Sequence, residues 1–278
     1  MWAQNRFLCH GIDPVGTKLP PNLLKRTNRV MGRTLQEFGC NLVEATADTS
    51  GAFKPNFWFW ASKPGGGLWA LEQTVHHAHE VAPEIPVIID LKGGDVKDTL
   101  AEIAELCFVG IGADAITINP YMGREAFADL LAHPEWGFIA VCRTSNPGSD
   151  EFQTMETATT TGTPLYVRVA EAVDRKWNTN GNCMLVMGAT YPEDIPAVRK
   201  SCPKIGFLIP GIGKQGGALE ESVAKGLNDV GAGIYVNASG SLSHASSGDD
   251  YAEAARREAL KLHEGILAAR EVALAARA

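Results

Sequence analysis

The segment "PVIIDLKGGDVKDTLAEIAELCFVG", residues 86–110, contains the repeating unit from which the fold can be predicted. Its first part, residues 86–92, is rich in aliphatic and β-branched side chains and is typical of a buried strand. Residues 99–110 carry apolar side chains at helical spacing and predict an amphipathic helix. A strand followed directly by a helix indicates a parallel sheet, because parallel neighbours need a crossover connection.

The same strand-and-helix unit repeats along the chain. The predicted strands are residues 6–12, 52–55, 86–92, 114–118, 137–143, 183–188, 206–210 and 232–237. The predicted helices are residues 23–38, 68–81, 99–110, 124–133, 163–177, 192–202, about 217–229 and 250–276. Eight such units in 278 residues predict an α/β fold, a closed (β/α)8 TIM barrel, with an open doubly wound sheet as the rival. No composition shift marks a second domain, so residues 1–278 are predicted to form a single barrel domain.

Composition narrows the class of protein. Hydrophobic residues make up 45% and charged residues 21%, as in ordinary globular proteins. A net charge of −7 argues against nonspecific nucleic-acid binding. No apolar run reaches the roughly 18 residues that span a membrane, so no membrane partner is expected. Six scattered cysteines without paired spacing predict reduced thiols and a cytoplasmic protein.

Charged residues of alternating sign follow two predicted strands. Asp90, Lys92 and Asp95 come at the end of one strand, and Lys54 ends another. Positions two apart in a strand share a face, so Asp90 and Lys92 are expected side by side, with the next helix capped by Asp98 or Thr99. Such neighbours keep one another ionised. The residues alone leave open an active site or a salt-bridge network that only ties strand ends together.

Three polar segments are predicted to be loops after strands, on the face where barrels place their chemistry. "PGIGKQGG" (210–217) brings glycines to a helix N-terminus, an arrangement that favours phosphate. Residues 144–162 are a candidate lid, and residues 238–249 are a flexible segment.

Two further groups of residues are not predicted to bind a ligand. The histidines of "VHHAHE" (75–80) do not share one helical face, so no metal site is predicted there or elsewhere. The aromatic run "FWFW" (57–60) is predicted to pack a loop or a dimer surface.

The element "DLKGGDVKDT" (90–99) resembles the D-x-K-x-x-D-x-x-x-T signature of the orotidine 5′-phosphate decarboxylase family. Sugar-phosphate decarboxylases of related barrels share its first part, so the other motifs add the specificity. Six further segments are similar to other motifs of the family, especially in its longer-chain subgroup, and occur in the right order. They are "GIDP" (11–14), "FKPN" (53–56), "TINPYMG" (117–123), "CRTSNPGSDEFQ" (142–153), "MGATYPEDI" (187–195) and "PGIGKQGG" (210–217).

The resemblance implies a cofactor-free (β/α)8 homodimer that converts orotidine 5′-phosphate to uridine 5′-phosphate and carbon dioxide. It implies that Lys92 donates the proton to carbon 6 and that Asp90 lies beside the departing carboxylate. Asp95 and Thr99 would reach the neighbouring subunit's site. Lys54 is the fourth implied catalytic residue.

The resemblance also assigns the substrate contacts. Asp13 would hold the ribose hydroxyls together with Lys54, Ser145 would contact the pyrimidine, and Gln215 with its neighbours would bind the phosphate. The full predicted binding set is Asp13, Thr99, Ser145, Pro210, Gly211, Gln215, Gly216 and Ser239, and Lys214 is added to it by hypothesis, because the family usually has a small residue there.

The sequence departs from the family pattern at the phosphate end. Gly240, in "VNASGSL" (236–242), stands where the family usually has an arginine, and Gly93 replaces another. Losing a charge-assisted hydrogen bond costs about 1.5–3 kcal/mol. We hypothesise that Lys214 supplies the missing charge, without the bidentate geometry of arginine. Two alternatives stay open: a divergent relative acting on another nucleotide or sugar phosphate, and a barrel that binds a nucleotide without turnover.

Overall fold

Eight strands form the sheet of the protein. The computed structural model describes residues 1–158, 162–212 and 216–277, without the side chains of 216–218. The strands are β1 Leu8–His10, β2 Ser50–Phe53, β3 Ile88–Gly93, β4 Ala115–Ile118, β5 Gly137–Arg143, β6 Cys183–Met187, β7 Gly206–Pro210 and β8 Ile234–Ala238. All eight predicted strands are confirmed, and no strand end differs from its predicted position by more than two residues.

The sheet has the strand order β2-β1-β8-β7-β6-β5-β4-β3. Pairing is parallel from β1 to β2 and from β5 through β6 to β7. The two end strands are linked by parallel bridges from Phe53 to Val87 and from Asn56 to Asp90. The sheet therefore curls into a nearly closed barrel with helices between its strands, which confirms the (β/α)8 prediction over the open sheet.

The helices follow the strands in alternation. They are α1 Pro21–Arg26, α2 Met31–Thr46, α3 Phe57–Ala61, α4 Gly67–Val81, α5 Lys97–Ala104, α6 Ala128–Leu131, α7 Leu165–Ala172, α8 Ile195–Ser201, α9 Gly216–Gly226, α10 Gly240–Ser243 and α11 Tyr251–Ala275. None of the helices in the described part of the chain has the length and apolar character required to cross a membrane.

The chain divides into two compact units. The first unit comprises residues 1–91, 105–116 and 237–265, and the second comprises residues 92–104, 117–236 and 266–278. That residues 1–278 form a single domain stays a prediction.

Close helix packing organises the first unit. A Cβ atom on Gly39 of α2 would lie 2.5 Å from the hydroxyl of Thr74 on α4 and 2.8 Å from the ring of Trp60 on α3. Only glycine permits that approach. The aromatic run of the sequence forms α3, which buries Phe57 and Trp60 while Trp58 and Phe59 stay exposed.

The second unit is built on the pairing of β5, β6 and β7. Register pairs such as Phe138 with Cys183 and Leu185 with Phe207 bury apolar side chains on neighbouring strands. The guanidinium of Arg199 lies 3.8 Å from the centre of the Phe207 ring and donates to the carbonyl of Gly226. That contact caps the C-terminal end of α9 and fixes it beside the strands.

Several helix predictions were wrong at their boundaries. The predicted helix 23–38 is two helices, because Asn28 and Arg29 adopt left-handed φ values of 52° and 58° and the amide of Arg29 returns to the carbonyl of Leu24. Asparagine tolerates this conformation, so the break has a local cause. The predicted helix 124–133 is shortened to α6. Residues 238–249, predicted to be flexible, contain α10.

The described part of the structure contains no pair among the six cysteines, as the sequence predicted. All six cysteines are free; Cys40 is half-buried and the others are buried. Burial raises the pKa of Cys9 to about 12, so its thiol stays protonated at neutral pH.

A buried histidine links three elements of the first unit. His10, at the end of β1, is fully buried, with Nδ1 2.8 Å from the hydroxyl of Thr46 on α2 and Nε2 3.2 Å from the hydroxyl of Ser243 on α10. The Ser243 hydroxyl donates in turn to the carbonyl of Gly11. Burial lowers the pKa of His10 to about 3, so the imidazole is neutral in the folded chain.

We predict that His10 makes the protein less stable in mild acid. Its pKa falls from 6.5 in the unfolded chain to about 3 on folding, so the unfolded chain takes up a proton below pH 6.5 that the folded chain does not. The stabilisation is complete above pH 6.5 and is lost as the pH falls towards 3. Between pH 7 and pH 5 the loss is about 2 kcal/mol, at about 1.4 kcal/mol per pH unit below 6.5.

Urea unfolding of the wild type and His10→Gln at a series of pH values measures this effect. The variant is expected to lose less free energy of unfolding between pH 7 and pH 5 than the wild type. The exposed Val230 provides the control, Val230→Ala, which removes no titratable group and should keep the wild-type slope. Equal slopes for wild type and His10→Gln would contradict the prediction.

Candidate active site

A buried ion pair lies where β2 and β3 meet. Lys54 directly follows β2, and Asp90 belongs to β3. The bridge between Asn56 and Asp90 brings these chain segments together. The ammonium of Lys54 donates to Oδ2 of Asp90 at 2.7 Å, and the two side chains are 4% and 8% exposed. These two residues are among the four charged residues that the sequence places at the ends of predicted strands.

The electrostatics of this pair keep Lys54 charged. Burial alone would lower the pKa of Lys54, but the negative charges of Asp90 and Asp13 outweigh it, and the net effect is a raised pKa. An ion pair buried to this degree is costly to break, because removing one partner leaves an uncompensated charge at a cost of about 3–5 kcal/mol. The ion pair therefore holds both side chains in fixed positions at the site.

Asp13 and Ser239 lie near the ends of neighbouring strands in the same unit. Oδ1 of Asp13 accepts a hydrogen bond from the amide of Asn56 at 3.1 Å, two residues after Lys54. Ser239 covers Gly11, where a Cβ atom would lie only 1.8 Å from the serine hydroxyl oxygen. The structure thus places Asp13 within the electrostatic reach of Lys54 and positions Ser239 over the segment that leads to Asp13.

Lys92 leaves the strand in a way that the sequence did not predict. Its φ of 51° is left-handed, and its side chain is exposed, whereas Asp90 and Leu91 are buried. The expected alternation of faces therefore ends at Leu91. The cause lies in β4 and the residue after it: the amide of Lys92 donates to the hydroxyl of Thr117, and the amide of Asn119 donates to the carbonyl of Gly93.

This turn is a point of backbone strain. A non-glycine residue in the left-handed region costs on the order of 1–3 kcal/mol, and such residues cluster at functional sites. Gly94 completes the turn, because a Cβ atom there would lie 2.7 Å from the carbonyl oxygen of Asn119. The geometry fixes the direction in which the Lys92 side chain leaves the backbone.

Asp95 and Thr99 follow on the exposed surface. Oδ1 of Asp95 accepts from the amide of Val96 at 2.6 Å. Helix α5 begins at Lys97, so Thr99 lies inside its first turn, and the predicted cap at Asp98 or Thr99 was wrong by about two residues. Lys97 forms an ion pair with Asp129 at 2.7 Å that ties this turn to α6.

Ser145 and the Pro210–Gly211 turn come together within the second unit. A Cβ atom on Gly188 would lie 2.7 Å from the amide nitrogen of Ser145, so the two backbones are in close contact. Gly211 has a φ of 102°, and a Cβ atom there would be 3.4 Å from Cβ of Ser145. The amide of Ala189 donates to the carbonyl of Pro210. Three of the predicted substrate contacts are thus adjacent.

Part of the predicted phosphate site falls on residues that the structure does not describe. Lys214 and Gln215 lie outside the described residues. Gly216 begins α9, and Gly240 begins α10. A Cβ atom on Gly240 would meet nothing within 4 Å, so a longer side chain has room there.

Sequence reasoning missed two residues that shape the site. Asn56 anchors Asp13, and Thr117 anchors the turn at Lys92. Both lie in the motifs "FKPN" and "TINPYMG", but contacts to the backbone of distant segments leave no pattern in a single sequence.

Comparison with known proteins finds one family model and several similar proteins. Residues 36–257 match the family model described as Orotidine 5′-phosphate decarboxylase / HUMPS family. The orotidine 5′-phosphate decarboxylase of Azoarcus sp. (strain BH72) is 40% identical over 270 residues, which cover 97% of this chain and 96% of that relative. The enzyme of the same name from Cupriavidus taiwanensis is 41% identical over 95% of this chain and 94% of its own length.

Solved structures show the same similarity. The Leishmania donovani OMP decarboxylase superposes with a TM-score of 0.76 at 32% identity, over 94% of this chain and 95% of that one. The UMP synthase of the same organism gives a TM-score of 0.82 at 34% identity over 96% of this chain, which spans only 54% of the synthase. The chain belongs to the orotidine 5′-phosphate decarboxylase / HUMPS family.

Proposed function

We propose that this protein converts orotidine 5′-phosphate to uridine 5′-phosphate and carbon dioxide in pyrimidine nucleotide biosynthesis, as a carboxy-lyase. The observation that carries the proposal is the buried Lys54–Asp90 pair, with Lys92 two residues further along on a strained turn. The relatives bearing this name match almost the whole chain. Neither alternative, another substrate or binding without turnover, gains support from them.

The reaction requires a cation beside carbon 6 of the pyrimidine. When the bond from carbon 6 to the carboxylate breaks, its electron pair stays in an sp² orbital that the ring carbonyls do not delocalise. The ammonium of Lys92 stabilises this charge and transfers one proton from Nζ to carbon 6. The resulting amine regains its proton from water.

The neighbouring charges prepare this step. Asp90 is held by Lys54, so its carboxylate has a fixed position and a low exposure. Beside the substrate carboxylate it disfavours the bound substrate relative to the transition state, in which negative charge has moved into the ring. Lys54 and Asp13 are assigned to the ribose hydroxyls.

The phosphate is assigned to the glycine-rich turn after β7. Pro210 and Gly211 begin this turn, Lys214 and Gln215 follow, and Gly216 opens α9. Backbone amides at a helix N-terminus favour a phosphate dianion. Ser145, which packs against Gly211, is assigned to the pyrimidine, and Ser239 to the phosphate end.

The enzyme is proposed to act as a homodimer in the cytoplasm. Trp58, Val96 and Tyr121 are 61%, 54% and 91% exposed, and each follows the end of one of three successive strands, β2, β3 and β4. Tryptophan and tyrosine are enriched at protein interfaces, so their exposure supports this proposal. Asp95 and Thr99, exposed in the single chain, would then complete the neighbouring subunit's site. Six unpaired cysteines fit a reducing compartment.

We predict that Lys92→Ala abolishes turnover while the protein stays folded. Loss of the proton donor and of its charge should lower kcat by at least about 1,000-fold, because both effects act only in the transition state. The decrease in ultraviolet absorbance of orotidine 5′-phosphate measures the rate. Lys261→Ala, on the exposed side of α11, is the control and should turn over at the wild-type rate. A Lys92→Ala protein with near wild-type kcat would refute the proposed role.

We predict that two inactive variants restore activity when they are mixed. If Asp95 acts in the partner's site, a dimer of one Lys92→Ala chain and one Asp95→Ala chain has one intact site and one doubly defective site. Random exchange at equal concentrations should then recover about a quarter of the wild-type activity. Mixing after subunit exchange in mild urea, followed by the absorbance assay, tests this. No recovery despite demonstrated exchange would place Asp95 in its own subunit's site.

We predict that Gly240→Arg improves the use of the phosphorylated substrate. The open space at Gly240 admits the side chain, and one added charge-assisted hydrogen bond should raise kcat/KM for orotidine 5′-phosphate about tenfold or more. Gly240→Gln adds similar bulk without charge and is the control. The gain should be absent for orotidine, which has no phosphate. An unchanged kcat/KM for orotidine 5′-phosphate, or an equal gain for orotidine, would contradict the prediction.

A further inference from the structure

Arg143 is a buried arginine to which the proposed chemistry assigns no role. It is the last residue of β5, and its side chain is 2% exposed. The segment that follows it, residues 144–155, is called the β5 loop below; it contains Ser145 and the short 3-10 helix Pro147–Glu151. A buried guanidinium at the start of such a loop needs partners on every side.

The guanidinium has a partner for each of its nitrogens. Nε donates to Oδ2 of Asp194, Nη1 donates to the hydroxyl of Ser149, and Nη2 donates to Oδ1 of Asp150, each at 2.6 Å. The ring of Tyr191 stacks on its face, with the guanidinium carbon 3.9 Å from the ring centre. Burial alone would lower the pKa of Arg143, but the hydrogen bonds to Asp194 and Asp150 outweigh it and raise the pKa.

These contacts close the β5 loop on itself. The backbone carbonyl of Arg143 accepts from the amide of Gly188, while its guanidinium holds Ser149 and Asp150 further along the chain. One residue therefore fixes both ends of the stretch that contains Ser145. Asp194, which follows β6, anchors the guanidinium from outside the loop.

A second closure overlaps the first and extends to Gln153. The side-chain oxygen of Gln153 accepts from the amide of Thr144, and its amide group donates to the hydroxyl of Thr144, both at 2.8 Å. Ser145 thus lies between two fixed points, with its backbone against Gly188 and its Cβ beside Gly211. A side chain held in this way is organised before any ligand arrives.

We propose that Arg143 is a positioning residue for recognition of the pyrimidine ring: by holding Ser149 and Asp150 it fixes the β5 loop and thereby sets the place of Ser145. The proposal rests on the proposed function and deepens it. The β5 loop serves the base end of the nucleotide, so loss of its anchor affects ligands that carry the base and not those that consist of ribose and phosphate alone.

Arginine is suited to this task in a way that lysine is not. Three acceptors on three different chain positions are met by one planar fork, and the flat face stacks on Tyr191. A lysine keeps the charge but offers a single nitrogen, which cannot reach Asp194, Ser149 and Asp150 in this arrangement. Arg143→Lys therefore tests the geometry of the contact while keeping its charge.

The experiment compares two ligands on four proteins. The dissociation constants of uridine 5′-monophosphate and ribose 5-phosphate are measured by calorimetry for the wild type, Arg143→Lys, the double variant Ser149→Ala/Asp150→Ala, and Arg175→Lys. The double variant removes both contacts of the guanidinium with the β5 loop but leaves Arg143 paired with Asp194, so it remains informative if Arg143→Lys folds poorly. Arg175 forms an exposed ion pair with Glu171 on α7 and provides the matched control.

We expect both loop variants to bind uridine 5′-monophosphate about tenfold more weakly and ribose 5-phosphate with unchanged affinity, and Arg175→Lys to bind both as the wild type does. Amide hydrogen exchange in residues 144–155 should be faster in the two loop variants, with or without a ligand. Unchanged affinity for uridine 5′-monophosphate, or an equal loss for both ligands, would overturn the proposal.

The same measurements separate this proposal from the proposed function. A wild type that binds neither ligand refutes the proposed function, and ring recognition with it. A wild type that binds both ligands, with loop variants that bind like it, refutes only the role of Arg143.

Discussion

The buried contact between Lys54 and Asp90 is the constraint on which the proposed site depends. Two charges removed from water at 2.7 Å are stable only as a pair, so neither side chain is free to move without exposing the other. Asp13 adds a second negative charge that keeps the lysine ionised. A carboxylate held in this way can be directed at a substrate carboxylate without turning away to relieve the repulsion, which an exposed aspartate would do.

The fold could be predicted from the sequence where burial alone determines the pattern. Strands β5 and β7 were predicted at their observed limits because a strand that is covered on both faces reads as a continuous aliphatic run. The helix predicted at 23–38 failed because the left-handed pair Asn28–Arg29 interrupts an otherwise amphipathic pattern. Because the apolar periodicity continues across such a break, periodicity alone does not show where one helix ends and the next begins.

The candidate site could likewise be predicted from the sequence only in part. The meeting of Lys54 and Asp90 could be anticipated from two charges at adjacent strand ends. The left-handed turn at Lys92 could not, because it depends on Thr117, a residue 25 positions away whose hydroxyl accepts a hydrogen bond from the Lys92 amide. Arg143 was not singled out for a related reason: one of its partners, Asp194, lies 51 positions further along the chain. Contacts between a side chain and a distant backbone or loop are set by the fold and have no local signature.

The exposed side chain of Lys92 has a thermodynamic consequence for the proposed enzyme. A lysine that is mobile before binding loses about 1.5–2 kcal/mol of rotamer entropy when it is ordered beside a ligand. In this protein the left-handed turn constrains the backbone of Lys92, so the cost of any further ordering of its side chain beside a ligand falls on the association step. Nucleotide affinity and reactivity therefore make opposite demands on the side chain at position 92. A shorter side chain would lower the entropic cost of association, but it would leave the ring carbanion without a proton donor.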